Sequence, residues 1–408
     1  MKRLEWHVLL FVTLALVAFG LVMVYSATSA PAALGNGNPT GYLERQAAYA
    51  FIGLVLLVVA ARTPYRAWRN LAPGLVLVSL VLCVAVLAIG TPVNGARRWL
   101  TLGPAVFQPS ELAKLAIALW AAAYLARRPA PRTLAELMKP IGTVAAIFCA
   151  LIVIEPDLGT AICIVVMLSA LLLVSGTPLP TLGAAGAIAC SLGALAIWLE
   201  PYRRERLLSF LNPWDDAQNT GFQSVQALIA MGSGGIFGKG LGQGVQKINF
   251  LPEAHTDMIF AVIAEELGLI GSTLVIGAYA ALGYAGLRIA LQCTDPFAKR
   301  LAAALTALIC GQAAVNLAAV MGVAPLTGIP LPLVSAGGSS LVVALTAVGV
   351  LLNIASGAGR RVAAVPDRGR RDGRARPAGA GGRGRASGAR GRGHVRGNSR
   401  PRRSAARA

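Results

Sequence analysis

The stretch Trp6-His-Val-Leu-Leu-Phe-Val-Thr-Leu-Ala-Leu-Val-Ala-Phe-Gly-Leu-Val-Met-Val-Tyr-Ser-Ala-Thr28 carries no Lys, Arg, Asp or Glu. Crossing a hydrocarbon core takes about 20 helical residues. The run is too long for the apolar core of a signal peptide and lacks a small-residue cleavage site, so it reads as a first transmembrane span. In lipid the backbone must satisfy its own hydrogen bonds, which makes such a run a helix. The rest of the chain repeats the pattern. Of its 408 residues, 56% are hydrophobic and 13% charged, with mean hydropathy +0.65. A soluble domain cannot hide that much apolar surface.

Apolar runs over 6–28, 46–61, 71–90, 110–126, 141–154, 158–174, 182–199, 268–291, 300–321 and 339–355 predict an all-α integral membrane protein of about ten spans. A large extracytoplasmic loop separates spans 7 and 8. Ten spans place both termini on one side. Lys2, Arg3, Arg62, Arg66, Arg69, Arg127, Arg128, Arg132, Lys139, Arg288, Lys299 and Arg300 fall on that side, and the positive-inside bias makes it cytoplasmic in the inner (plasma) membrane.

The net charge of +20 is not spread evenly. Residues 360–408 hold 16 Arg against Asp367 and Asp372, in an Arg/Gly/Ala/Pro/Ser composition that predicts a disordered cytoplasmic tail after a membrane domain of 1–359. Such a tail suits a solvated role or anionic headgroups, and nothing structured in it calls for nucleic acid. Six scattered Cys without metal spacing, five of them in apolar runs, read as small hydrophobes.

Two outer loops break the rule of few basic residues: 91–109 with Arg97 and Arg98, and 200–257 with Arg203, Arg204, Arg206, Lys239 and Lys247. Long loops translocate despite charge. Guanidinium groups there fit a phosphate-bearing ligand, or equally a solvated face among lipid headgroups. The glycine-rich run 232–244 lacks the Lys-Ser/Thr of a phosphate-binding loop and instead predicts tight turns and close backbone approach at a membrane surface.

Ionisable residues at membrane depth are functional candidates. Glu111 and Lys114, at i and i+3, share a face that should point into the bundle, as a structural pair or as ligands. Asp157, in Glu155-Pro-Asp-Leu-Gly-Thr160, is placed to cap the next span or to support the site. The densest cluster is Leu251-Pro-Glu-Ala-His-Thr-Asp-Met258 followed by Glu265 and Glu266. There Asp257, half desolvated at the water boundary, can keep enough basicity to take a proton from a sugar hydroxyl, with Glu253 and His255 beside it. A lone His without spaced partners does not make a zinc site. Pro325–Ser340, ending in Ser339 and Ser340, is broken backbone at membrane depth, tolerated only where it is buried or lines a cavity.

Five ordered motifs carry a resemblance: Asn94-Gly-Ala-Arg-Arg-Trp99, Gln108-Pro-Ser-Glu-Leu-Ala-Lys114, Glu155-Pro-Asp-Leu-Gly-Thr160, Gln246-Lys-Ile-Asn-Phe-Leu-Pro-Glu-Ala-His-Thr-Asp257 and Pro330-Leu-Pro-Leu-Val-Ser-Ala-Gly-Gly-Ser-Ser340. Over residues 6–356 the chain resembles the SEDS family (FtsW, RodA, SpoVE). It is most similar to the FtsW branch, which serves division, with the RodA elongation branch as the near alternative. Met258 and Ala336 stand where Phe and Tyr are common.

The resemblance implies a peptidoglycan glycosyltransferase joining lipid II into β-1,4 glycan. Its implied partners are a class B penicillin-binding protein (a transpeptidase) and other divisome proteins. The essential aspartate falls on Asp257, the arginine before the tryptophan on Arg98, and the glutamate–lysine pair on Glu111 and Lys114. The mechanism expected has Asp257 as general base or as the group orienting the acceptor 4-hydroxyl. Arg98, with Lys247 or the 203–206 stretch, stabilises the departing pyrophosphate, and a divalent cation, magnesium, shares that work. Two rivals come from other classes. A lipid II flippase would want midplane charges and inverted repeats, and a non-catalytic scaffold would leave Asp257 unexplained.

Overall fold

A computed structural model describes residues 2–33, 39–93, 96–103, 105–248 and 251–357. The Arg-rich tail and parts of two motifs (Asn94 and Gly95, Asn249 and Phe250) lie outside the described residues. Each apolar run becomes a helix: α1 (Lys2–Ala33), α2 (Pro39–Arg62) and α3 (Tyr65–Ile89) come first. An antiparallel meander of β1 (Thr91–Val93), β2 (Ala96–Leu102) and β3 (Ala105–Phe107) follows, with Thr91 opposite Trp99 and Leu100 opposite Phe107. Then come α4 (Pro109–Ala126), a short α5 (Leu134–Leu137), α6 (Thr143–Ile154), α7 (Leu158–Ser175) and α8 (Leu179–Leu199). The long loop carries α9 (Pro201–Leu211) and α10 (Phe222–Ser233), and α11 (Ile259–Gln292), α12 (Pro296–Val320) and α13 (Gly338–Gly357) complete the chain. The chain is thus a multi-pass membrane protein, all-α but for the meander.

Among the described residues, nine helical segments are long and apolar enough to span a membrane. The tenth expected span, α4, is not among them, because Glu111 and Lys114 lie within it. Its neighbours account for this: α4 packs against α3, α7 and α12 and buries most of its length, so it needs no continuous lipid-facing surface. Two boundaries move. The run read as 141–154 is extended by α5 and a π-turn at Met138–Gly142 into a span over Leu134–Ile154. The run read as 268–291 begins nine residues earlier, at Ile259. Glu265 and Glu266 mask the helix in sequence because their charges read as loop.

Polar contacts tie α1 to α11 at two well-separated levels. Near one face Gln292 Nε2 donates to Glu5 Oε1 at 3.0 Å. Near the other, Ser26 Oγ donates to Glu266 at 2.7 and 2.8 Å. Glu5 and Ser26 are about 32 Å apart at the helical rise per residue, close to the hydrocarbon thickness. On the first face Tyr65 joins the ends of three spans, since its hydroxyl donates to Asp295 at 3.0 Å and its amide to Asn353 at 2.9 Å. The start of α1 and the end of α13 lie there with the basic loops. The chemistry-bearing motifs gather at the opposite face.

Candidate functional site

Asp257 closes the segment that leads into α11, and its side chain is 9% exposed. Two distant elements hold its backbone. Asn316 Nδ2, on α12, donates to the Asp257 carbonyl and to the Ile329 carbonyl, both at 2.8 Å. The Ala336 amide donates to the His255 carbonyl at 2.9 Å. The 321–337 segment is non-helical, and Ile329, Leu331, Leu333 and Val334 in it are buried, as expected of broken backbone at membrane depth. Glu253 (φ 54°) and Leu333 (φ 68°) adopt left-handed backbone on either side of the site, the kind of strain a surrounding fold must impose.

Gly328, with φ +70°, is the point where the site closes. A methyl group there would lie 3.9 Å from Asp257 Oδ2 and 4.0 Å from Arg206 Nη1. Arg206, on α9, therefore borders the same gap as this carboxylate. Burial pushes the Asp257 carboxyl up to about 6, Glu253 pushes the same way, and Arg206 opposes them. Asp257 also accepts from the Thr256 hydroxyl at 3.4 Å, while that hydroxyl lies 2.8 Å from Glu253 Oε2. His255 packs edge-on to Tyr42 at 5.0 Å between ring centroids. Burial holds its pKa below the ordinary value, which leaves a neutral supporting ring near pH 7.

The other predicted residues divide into networks. Lys114 Nζ lies 2.8 Å from Glu111 Oε1 and 2.7 Å from Gln312 Oε1, with both charged groups buried. Gln312 Nε2 continues to the Pro330 carbonyl at 3.0 Å and to Ser340 Oγ at 3.4 Å. The pair does face the bundle interior, and it links α4 through α12 to the broken segment. A cavity of about 10 Å³ beside it has room for about one water. Ser339 Oγ accepts from the Gln108 amide at 3.0 Å and donates to the Val106 carbonyl at 3.2 Å, tying the meander to the start of α13.

Asp157 caps α7 as its position predicts: Oδ1 accepts from the Thr160 amide at 3.0 Å, and Oδ2 accepts from the Thr160 hydroxyl at 2.8 Å and from Gln108 at 3.0 Å. Arg98 is engaged with backbone. Its Nε donates to the Glu155 carbonyl at 3.0 Å and its Nη2 to the Pro156 carbonyl, so it clasps the outer turn between α6 and α7. Burial and the nearby Asp157 push the Glu155 carboxyl up to about 8, against Arg98.

Lys247 departs from its expected place. Its Nζ lies 2.6 Å from Glu266 Oε1 and 3.0 Å from Ser26 Oγ, with no side-chain exposure on either charged partner. A lysine so paired is not free to meet a pyrophosphate. Glu265 and Glu266 leave the cluster for the same reason, since Glu265 is bound by Lys239 at 2.8 Å. Sequence reasoning missed Asn316 and Gln312. Their signal was present: two amides at i and i+4 inside the apolar run of α12.

Comparison with known proteins gives one answer. The profile of the FtsW/RodA/SpoVE family, described as "Cell cycle protein", matches residues 7–359. The "Probable peptidoglycan glycosyltransferase FtsW" of Geobacter metallireducens is 41% identical, over 87% of this chain and 96% of the relative. The protein of the same description from Nitrosococcus halophilus is 44% identical over 85% and 91%. Among solved structures, a chain from "Structural coordination of polymerization and crosslinking by a peptidoglycan synthase complex" aligns with TM-score 0.72 at 34% identity, over 86% of this chain and 98% of that one. The rod shape determining protein RodA of Thermus thermophilus aligns with TM-score 0.65 at 29% identity, over 86% and 97%.

Proposed function

The chain belongs to the FtsW/RodA/SpoVE family of cell cycle proteins, and from that premise we infer that it is a peptidoglycan glycosyltransferase polymerising lipid II for the septal wall during cell division. One observation carries the chemistry: a nine-tenths buried carboxylate, Asp257, lifted to about 6 and sharing Gly328 with the Arg206 guanidinium. A base with that affinity takes a hydroxyl proton without being protonated at neutral pH. The acceptor's 4-oxygen bonds to the anomeric carbon of the growing chain, the bond from that carbon to the pyrophosphate oxygen breaks, and the hydroxyl proton passes to Asp257. Arg206 takes the place beside the departing pyrophosphate that Lys247, paired with Glu266, does not fill. Arg98 serves by holding the outer turn.

Among the described residues no group of three or more His, Cys, Asp or Glu is placed to hold a metal. Glu253 and Asp257 offer two carboxylates, and magnesium is commonly held by one or two carboxylates plus phosphate oxygens. That donor set fits a cation only once a substrate pyrophosphate completes it. The ion would then neutralise phosphate charge.

We assign the face bearing Asp257 to the outside of the inner membrane and both termini to the cytoplasm, from the basic loops on the Tyr65 face. We also assign a class B penicillin-binding protein and other divisome proteins as partners, following the synthase complex that resembles this chain. The flippase reading has less support. One buried ionisable pair, Glu111–Lys114, is closed against Gln312 beside a cavity of about 10 Å³, too small for a saccharide, and another, Lys247–Glu266, is closed against Ser26. The deciding experiment incubates purified protein and its transpeptidase with labelled lipid II in detergent, where transport is irrelevant. Polymer is expected from the wild type and none from a folded Asp257→Asn variant. Glycan of normal length from that variant overturns the assignment.

A further inference from the structure

The glycine-rich run takes no part in the chemistry above, yet it is firmly built. At Gly268 (φ 64°, ψ −157°) α11 is broken, and a break at membrane depth leaves helix groups needing partners. Residues 235–240 supply them. The Lys239 and Gly240 amides donate to the Glu265 and Glu266 carbonyls at 3.0 and 2.9 Å, and the Leu269 and Ile270 amides donate to the Gly235 and Ile236 carbonyls at 2.9 and 3.3 Å. A side chain at Gly238 or Gly268 would strike this backbone pairing. Two buried carboxylates staple the loop further: Glu265 accepts from the Val245 amide at 2.9 Å and Glu266 from the Gly242 amide at 3.0 Å.

With these groups satisfied and Lys239 paired, the loop turns its apolar side chains outward. Phe237 is 81% exposed and Ile236 60%, with Leu241 and Val245 also exposed. The main-chain bonds set them beside Leu269 and Ile270, both exposed on the apolar helix α11 that is long enough to span a membrane. We propose that residues 235–245 form a wedge that seats Ile236, Phe237 and Leu241 among the lipids at the membrane–water interface of the Asp257 face. The occupant is lipid because the patch adjoins the exposed apolar face of a membrane-spanning helix and carries no uncompensated charge. Glu265 and Glu266 stand on the helix that Asp257 begins, so the wedge sets the height of Asp257 against the headgroups. The proposal does not depend on the catalytic reading.

Phe237→Trp tests it, since an exposed ring can be exchanged without repacking. Its emission, taken as the difference from the parent protein in lipid nanodiscs, is compared with phospholipids brominated on the acyl chains and with aqueous iodide, after a thermal scan shows the fold intact. Blue-shifted added emission, largely lost to brominated lipid and little affected by iodide, is the expected result. Emission quenched by iodide and indifferent to bromine overturns it. Repeating the measurement with the crosslinking partner present should leave the bromine quenching in place. Its disappearance would give the surface to that protein and overturn the lipid assignment. Polymerisation is read separately, so a failed catalytic assignment does not alter this outcome.

Discussion

Asp257 and Arg206 both border Gly328, where an added methyl group would lie 3.9 Å from the carboxylate and 4.0 Å from the guanidinium. The arginine opposes the burial that raises Asp257 to about 6. On the proposed chemistry polymerisation should need the ionised carboxylate: the rate is expected to fall as pH drops through about 6 and to be level above it. In Arg206→Ala the carboxyl loses its stabilising cation, and the acid limb of the pH–rate profile moves to higher pH. A limb that stays in place, or moves down, contradicts the electrostatic influence of Arg206 on Asp257.

The same carboxylate weakens the fold it serves. Asp257 rises from 3.8 to about 6 on folding, so the folded state prefers the protonated form. The penalty is absent below the unfolded value, grows as pH rises from there to about 6, and levels off on the order of 3 kcal/mol above it. Asp257→Asn should raise the thermal midpoint at pH 8 but not at pH 4, while abolishing polymerisation. Calorimetry in detergent at the two pH values decides.

Gly328→Ala places a side chain at φ +70°, a conformation that disfavours L-residues by about 1–2 kcal/mol, and fills the gap between Asp257 and Arg206. Stability falls by that modest amount, and turnover drops far more than expression. Equal losses of both would mark the position as merely structural.

Lys247→Met strands the Glu266 carboxylate, which has no exposure. Breaking one side of a buried pair typically destabilises by about 3–5 kcal/mol. The double variant Lys247→Met/Glu266→Leu should recover part of that loss, as seen in the unfolding midpoint. Without any recovery, the lysine acts elsewhere.

Chelation separates substrate-borne cation from resident metal. With no three-ligand group among the described residues, EDTA should lower polymerisation of lipid II yet leave the thermal midpoint of the substrate-free protein unchanged. A fall in the midpoint would reveal a protein-held ion.

Nine of the ten expected spans, the basic face and the Asp157 cap were legible in the sequence, because each follows from local rules: apolar length, loop charge and a side chain three residues from its amide. Asp257 was legible too, as a carboxylate at a helix mouth. Tertiary packing decided the rest. Lys247 looks in sequence like a free outer cation and is spent on Glu266, a partner 19 residues away. Arg206 takes its meaning from Gly328, more than a hundred residues on, and Asn316 from two carbonyls on separate segments. The start of α11 was hidden because Glu265 and Glu266 read as loop until Lys239 and Lys247 neutralise them. Hydropathy reports each residue's own transfer free energy, and that reveals which segments enter lipid. Which charges stay free to act depends on pairing across the bundle, and only the folded chain brings those partners together.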